Sequence, residues 1–429
     1  MPASSPDQNR TPIARAGVEP CPIGSLPPLG EVPAYYHAQV VRPHRYGDPR
    51  SAFVPEVVPT PAIGPNEVLV AVMAAGINYN NVWAARGYPV DQVQTRQRRG
   101  EVEDFHIGGS DASGIVYAVG EDVTDWQIGD EVVTHPGWWD PEDPWVVSGR
   151  DPMLAPSARI YGYDTNYGSF GQFTRVQEHQ LLPKAPHLTW EEAAAPTLVG
   201  TTAYRMLHGW PGNTVQEGDV VLVWGGSGGL GTQACQLARV AGAIPVAVVS
   251  DDERGRFAVK YGAQGYLNRK DFDHWGIPPR IDDIEGQKAW STGARAFGKR
   301  IWEIVGERKD PAIVFEHPGA ATVPTSIFVA APGGMVVICA GTTGYEAVVD
   351  LRYHWTRQKR LQGSHGTNDQ QARAYNELVR SKQIDPALGR TIAFEDIPDA
   401  HSRMGRGEDV FGNVAALIGA ERPGTGATP

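Results

Sequence analysis

The run Val221-Leu-Val-Trp-Gly-Gly-Ser-Gly-Gly-Leu-Gly231 sets five glycines within seven residues directly after an apolar stretch, and Thr232–Val240 follows with helical character. Glycine lets a backbone come close to a phosphate. The first N–H groups of a helix, at the positive end of its dipole, give that phosphate donors. The pattern points to a dinucleotide pyrophosphate held by Gly226, Ser227, Gly228, Gly229, Leu230 and Gly231. The bland alternative is a tight turn in an ordinary α/β sheet. Further on, Ile244-Pro-Val-Ala-Val-Val-Ser250 reads as a strand tipped by a hydroxyl and followed by Asp251-Asp-Glu-Arg254. Sheets that select NAD place an acid here for the ribose 2′-OH. Ser250 with Arg254 one helical turn later suits a 2′-phosphate, so NADPH is the expected cofactor, with Asp251 the residue that argues the other way. A third group, Arg352 to Arg360, carries four Lys/Arg, one His and no acid. It reads either as a solvated helix face or as a clamp for an anionic substrate.

These residues need elements to hold them. From about residue 190 a helix start at Trp190 after Thr189, the glycine-rich turn, and alternating strands and helices through Gly334-Met-Val-Val-Ile-Cys-Ala340 predict a doubly wound parallel sheet over 196–365. The stretch 269–310 is longer than one crossover needs and reads as an insertion. Earlier, short alternating pieces at Ala38–Arg42, Glu67–Met73, Gly114–Gly120 and Asp130–Val133 predict a small β-rich domain over 31–195, which the chain rejoins over 366–429. Residues 1–30 read as an arm. Residues 135–168 form an irregular segment of a length that usually marks function or an interface.

Composition narrows the class. The chain has 429 residues and a net charge of −11, which argues against general nucleic-acid affinity. Cys21, Cys235 and Cys339 are scattered, which excludes a disulfide framework and a four-cysteine zinc site. No apolar run suits a membrane helix and the N-terminus lacks an apolar signal region, so the expectation is a soluble, cytoplasmic protein.

Four strings in order, Gly76-Ile-Asn-Tyr-Asn-Asn81, Gly109-Ser-Asp-Ala-Ser-Gly114, Gln127-Ile-Gly-Asp-Glu-Val132 and Gly200-Thr-Thr-Ala-Tyr204, resemble the medium-chain dehydrogenase/reductase superfamily. The resemblance implies an α/β protein: a GroES-like β-rich catalytic domain beside a Rossmann cofactor domain. Zinc members carry Cys and His where this chain has Asn78 and Ser110, so no catalytic zinc is expected, and hydride should go to an activated C=C bond. Phe315-Glu-His-Pro-Gly319, Leu267-Asn-Arg-Lys-Asp-Phe272, Met335–Gly344, Trp355–His365 and the Trp-rich segment near Trp138 are similar to the crotonyl-CoA carboxylase/reductase family.

That family implies reduction of a 2-enoyl-CoA by NADPH with capture of CO2, in a homo-oligomer (dimer or tetramer). By the same resemblance Asn81 and His365 hold CO2 and the new carboxylate, Phe170 walls their pocket, and Arg269 and His317 join the cofactor set. Arg352 and Arg357 are expected to pair with CoA phosphates, and Tyr353 to stack on its adenine. Two departures stand out. Family members commonly place a Glu beside the Phe, whereas Gly171-Gln172 stand here, shifting that role to water and Gln172. Members acting on crotonyl-CoA usually have a Phe after the His. Gly366 therefore suggests an opened channel and a longer chain such as hexenoyl or octenoyl; otherwise it only permits a turn. A plain NADPH-dependent enoyl-CoA or quinone reductase would share the fold and lack carboxylation. A non-enzymatic nucleotide-binding protein shares only the fold.

Overall fold

The computed structural model describes residues 19–408 and 411–428; most of the arm expected over 1–30 lies outside them. The chain divides into two compact units. The first runs to Leu198 and takes up Gly366–Arg380 and the chain from Leu388; the second is Val199–His365 with Ser381–Ala387.

In the first unit, the strand Glu67–Gly76 is the spine of a seven-stranded sheet. It pairs antiparallel with Ala112–Val119, Phe173–Gln177 and Asn413–Leu417. Its run of Val, Leu and Ala is buried on both faces, so it reads as nearly continuous apolar sequence. A three-stranded sheet sets Tyr35–Val41 between Phe53–Pro59 and His106–Ile107. Between the sheets lies a core that includes Tyr36, Phe53, Leu69, Phe170 and Phe173. The irregular 135–168 segment is partly ordered by the short pair Gly137–Trp138 and Arg159–Ile160. Trp139, Met153 and Ile160 give it a small core of its own.

The second unit is built on six parallel strands. Their spatial order is Gly265–Asn268, Ile244–Val249, Val220–Trp224, Ile313–Glu316, Met335–Ile338, Arg360–Gly363. The order reverses direction at Val220–Trp224, and ligands of such sheets bind outside the strand C-termini at that point. The segment 269–310 is largely one helix, Ile284–Val305, started by the Asp283 side chain on Gly286 N–H and ended at Gly306 with φ 87°. Trp290, Ala294, Phe297 and Ile301 form its buried stripe, the i, i+4, i+7 spacing of a helix lying on a sheet. The extra length is therefore a long crossover helix with an aromatic loop ahead of it. Among the described residues no helix is long and apolar enough to cross a membrane.

Candidate active site

The glycine turn leaves the strand Val220–Trp224 and enters the helix Gly229–Val240. Gly228 caps that helix without a side-chain bond, and the carbonyl of Gly228 takes the N–H of Thr232 at 2.9 Å. The earlier N–H groups of the first turn are those a helix leaves without internal acceptors. A Cβ at Gly231 would stand 2.2 Å from the Gly225 carbonyl oxygen, so only glycine allows this tight a turn. His317 packs against Gly225 and bonds through Nε2 to the Trp224 carbonyl at 3.1 Å. Burial pushes its pKa down to about 4, so it is a neutral ring donating to that carbonyl. These features fit a dinucleotide pyrophosphate.

Ser250 follows the adjacent strand. Asp251 starts the helix Asp252–Lys260 by accepting the Arg254 N–H at 2.9 Å. The Ser250 hydroxyl donates to Asp251 at 3.0 Å, and Arg254 Nε lies 3.3 Å from it. The backbone N–H of Arg254 is the largest influence holding the Asp251 carboxyl below the usual range. The residue that argued for NAD is thus engaged in capping. The register of the two strands ends with Val249 opposite Asn268; Ser250 and Arg269 are the next residues of each chain segment, and Arg269 is exposed. Ser250, Arg254 and Arg269 therefore share one end of the sheet.

Glu316 ends the strand Ile313–Glu316 and accepts from Gly319 N–H, Thr322 Oγ1 and Ser326 Oγ at 3.1, 2.7 and 2.6 Å. Burial outweighs these bonds and lifts its carboxyl to about 7. A carboxyl whose folded pKa is raised favours the fold while protonated. That contribution is present below the ordinary carboxyl range and is lost as pH rises through about 7; it amounts to about 3 kcal/mol. Glu316→Gln should remove it. Thermal unfolding at pH 5 and pH 8 should then show a flatter pH dependence than the parent protein; identical slopes would contradict the assignment.

In the first unit, the helix Asn80–Arg86 begins with two amides. Asn81 is fully buried. Its Oδ1 accepts the Gly109 N–H at 3.1 Å and its Nδ2 donates to Asn80 Oδ1 at 3.0 Å. A Cβ at Gly108 would stand 2.1 Å from Asn81 Oδ1 and 3.5 Å from Phe170, so this glycine is what lets Asn81 and Phe170 flank the same backbone. Phe170 is also a core residue, packed edge-on to Phe53 and His401 at 5.9 and 5.2 Å.

The positions that hold ligands in zinc relatives are occupied by hydrogen-bonding groups. Asn78 Nδ2 donates to Asp111 Oδ2 at 2.8 Å, and Ser110 Oγ accepts from Asn80 Nδ2 at 2.8 Å. A neutral amide and a hydroxyl already so engaged do not fit a catalytic zinc. Asp111 also accepts the Leu198 N–H, and burial pushes its carboxyl up to about 8.

Gln172 does not take the role suggested for it. Its amide donates to the Cys21 carbonyl at 2.8 Å and accepts the His37 N–H at 2.9 Å, which ties down neighbouring backbone. A Cβ at Gly171 would stand 2.7 Å from the Tyr36 ring, so a side chain has no room there in this packing. Gly366 also differs from expectation. It is buried with φ +61°, and its Cβ would meet Met153 Cε at 2.6 Å and Ile160 Cδ1 at 2.9 Å. The glycine serves a left-handed turn, and the space beside it is filled by two flexible side-chain tips.

The chain after Gly366 is clasped. Asp369 Oδ1 lies 3.1 Å from His135 Nε2 and 2.9 Å from His179 Nδ1. Burial works to raise the Asp369 carboxyl, and the bonds from the two rings outweigh it and hold it low. All three groups lie within a metal's reach of one another. However, the Gly137 N–H donates to His135 Nδ1 at 3.2 Å, which puts the ring proton on Nε2, facing Asp369. The cluster is a hydrogen-bonded clasp.

The basic run divides its work. Arg352 is held by Asp350 at 2.5 Å and reaches Gln287 at 3.2 Å. Tyr353 is turned inward, edge-on to Phe328 at 4.8 Å, because its short helix Leu351–Trp355 lays that side on the core. The adenine-stacking role expected of it is therefore not supported by its orientation. Lys359 is buried and donates to the Ile327 and Phe328 carbonyls at 2.6 and 3.1 Å. Arg357 remains exposed. His365, also exposed, ends the second unit's main segment just beyond the strand Arg360–Gly363. The structure thus brings Asn81 and Phe170 together in one unit, and the residues expected to hold the cofactor lie in the other. Asn80, which bonds Asn81, and Met153 and Ile160, which crowd Gly366, were not singled out by sequence reasoning. The run of asparagines in Asn78-Tyr-Asn-Asn81 was the only signal for Asn80.

The β-rich and parallel-sheet units match two family models: the alcohol dehydrogenase GroES-like domain over residues 64–186 and the zinc-binding dehydrogenase over 229–381. The fold is that of a medium-chain dehydrogenase/reductase. The chain is 49% identical to a crotonyl-CoA carboxylase/reductase of Cereibacter sphaeroides, over 94% of this chain and 92% of that one. It is 40% identical to a crotonyl-CoA reductase of Streptomyces collinus, over 84% and 81%. It belongs to the crotonyl-CoA carboxylase/reductase family. Among solved structures it resembles the crotonyl-CoA carboxylase/reductase AntE in complex with NADP, with TM-score 0.90 and 51% identity over 94% of this chain and 99% of that one. It also resembles the 2-octenoyl-CoA carboxylase reductase CinF with NADP and 2-octenoyl-CoA, with TM-score 0.84 and 37% identity over 92% and 91%.

Proposed function

We propose that this chain catalyses the NADPH-dependent reductive carboxylation of a 2-enoyl-CoA with CO2 to an alkylmalonyl-CoA. The bound nicotinamide supplies hydride to the β-carbon. The displaced π electrons form a thioester enolate whose α-carbon is nucleophilic. A bond from that carbon to the carbon of CO2 gives the carboxylate; a proton arriving instead gives the saturated acyl-CoA. The protein must hold CO2 at the α-carbon and keep water away. The observation that carries this reading is the Asn81 amide, fully buried and oriented from two sides. Its remaining N–H can orient neutral CO2, and it strengthens as negative charge develops on the new carboxylate. His365 is assigned to the same carboxylate by resemblance. Around the cofactor, the turn Gly226–Gly231 takes the pyrophosphate, and Ser250, Arg254 and Arg269 take the 2′-phosphate. Arg357 is the better candidate for a CoA phosphate, since Asp350 already pairs with Arg352.

Product masses from a series of enoyl-CoA lengths, with and without bicarbonate, test the reading. Alkylmalonyl-CoA should dominate when bicarbonate is saturating. The crowding at Gly171 favours one second reading, a plain enoyl-CoA reductase, and only saturated acyl-CoA under those conditions would establish it instead.

We assign a medium-chain substrate, with Met153 and Ile160 as the side chains that limit its length beside Gly366. Met153→Ala and Ile160→Ala should move the kcat/KM optimum toward longer chains. The gain should be about fourfold for each CH2 newly buried. An unchanged chain-length profile in both variants would remove them from the acyl pocket.

We also propose a homo-oligomer in the cytoplasm. Support comes from exposed Leu351, Trp355, Ile281 and Ile284, whose segments are joined by the Arg352–Gln287 bond. Such a patch usually marks an interface. Light scattering should give a dimer or tetramer that Trp355→Glu weakens; a monomer would refute it.

A further inference from the structure

Glu316 is a fully buried carboxyl with no place in the cofactor set or the reaction. Its hydrogen bonds lead to two loops at the C-terminal end of the parallel sheet. Oε1 accepts the Gly319 N–H and the Thr322 hydroxyl, which close the segment His317–Thr322 back onto the strand it leaves. Oε2 accepts from Ser326 Oγ at 2.6 Å, and Ser326 Oγ in turn accepts the Trp224 indole N–H at 2.9 Å. Trp224 ends the strand that runs into the glycine turn. It is therefore held at both ends: His317, the residue after Glu316, bonds its carbonyl at 3.1 Å, and the relay through Ser326 holds its indole. Gly225, with φ +62°, then turns directly against His317, where a Cβ would stand 2.5 Å from the ring Nε2. The segment after Glu316 is also zipped to the loop beyond Met335–Ile338. The Thr342 N–H donates to the His317 carbonyl at 3.3 Å and the Thr343 N–H to the Pro318 carbonyl at 2.8 Å. An apolar side chain would fill the place of Glu316 without the cost of burying a polar group, so filling space does not explain it.

We propose that Glu316, through Gly319, Thr322 and the Ser326–Trp224 relay, is a positioning residue for NADPH: it fixes the spacing between the turn Gly225–Gly231 and the segment His317–Thr322 at the cofactor crevice. The proposal rests on the reading of Gly226–Gly231 as the pyrophosphate site. Backbone donors grip a phosphate well only when the groups behind them are locked, and a connected set of directed hydrogen bonds supplies that lock. Glutamine suits the same role. Its oxygen keeps the Gly319 and Thr322 donors, and its NH2 donates to Ser326 Oγ, which still accepts from Trp224.

The test measures the NADPH Kd by fluorescence titration, the KM for enoyl-CoA, the carboxylated-to-reduced product ratio and the thermal midpoint in Ser326→Ala, Thr322→Val, Glu316→Leu and Glu316→Gln. Ser326→Ala breaks the relay to Trp224. The NADPH Kd should rise about fivefold, the equivalent of one hydrogen bond of ordinary strength, while the enoyl-CoA KM and the product ratio stay within about twofold. Thr322→Val releases the other side and should act in the same direction. Glu316→Leu should exceed either, and the two outer variants carry the test if it does not fold. Glu316→Gln should stay within about twofold of the parent Kd. A Kd unchanged in both Ser326→Ala and Thr322→Val, with only the thermal midpoint lowered, means a purely structural role and overturns the proposal. A loss in Glu316→Gln as large as in Ser326→Ala would assign the effect to charge and also overturn it. Gly231→Ala tests the underlying reading separately: unchanged NADPH affinity there removes the pyrophosphate site from the turn, and the proposal falls with it.

Discussion

Replacing Asn81 by aspartate should lower the carboxylated-to-reduced product ratio about a hundredfold, the typical cost of losing a donor aimed at developing negative charge. Aspartate is nearly isosteric and still accepts the Gly109 N–H, which the native Oδ1 takes at 3.1 Å, so that buried backbone donor keeps its partner. What is lost is the amide N–H. The replacement also sets a carboxylate where the new carboxylate must form and against the Asn80 oxygen that now accepts from Asn81. Both effects act on the carbon–carbon bond-forming step and leave protonation of the enolate as the competing fate. Saturated acyl-CoA should become the main product at saturating bicarbonate. A ratio within about twofold of the parent enzyme's would show that Asn81 does not touch CO2, and its burial beside Gly108 would then be packing alone.

The second large effect concerns the cofactor. The double variant Arg254→Ala/Arg269→Ala should cut the preference for NADPH over NADH about a hundredfold, at roughly 1.5 kcal/mol for each charge-assisted bond to the 2′-phosphate. The readout is the ratio of kcat/KM for the two cofactors. Arg254 sits in the first turn of its helix beside Asp251, and Arg269 lies at the end of the neighbouring strand. Removing both takes away two positive charges at that end of the sheet, with Lys270 left near Asp251, while the glycine turn stays intact. An unchanged ratio would transfer ribose recognition to Asp251, and Asp251→Ala would then have to alter NADH use.

The parts of the molecule that were legible in its sequence are those set by local pattern. The glycine turn announces itself because a helix N-terminus, a buried strand and a close approach all need particular residue types within a dozen positions. The parallel strands at Val220–Trp224, Ile244–Val249 and Ile313–Glu316 are read from unbroken apolar runs, since strands covered on both faces have no polar side. What stayed hidden depends on contacts between distant segments. The Asn80 amide is held by the Ser110 hydroxyl, thirty positions away. Gln172 looked available until its amide was found on the Cys21 carbonyl and the His37 N–H. Gly366 suggested open space because its missing side chain was visible in the sequence, whereas Met153 and Ile160 filling that space were not. Tyr353 and Lys359 counted as members of a basic, exposed run until helix phase turned Tyr353 onto Phe328, and Lys359, past the end of that helix, reached two carbonyls. Segment 269–310 seemed an insertion because a crossover helix as long as Ile284–Val305 is uncommon.

The central claim is that hydride delivery and CO2 capture occur on one substrate molecule. The most direct measurement is the mass of the product formed from a 2-enoyl-CoA with 13C-bicarbonate and NADPH deuterated at the transferred position. The claim predicts a single alkylmalonyl-CoA carrying both the deuterium and the 13C. Deuterium found only in saturated acyl-CoA, with no 13C in any product at saturating bicarbonate, would contradict it.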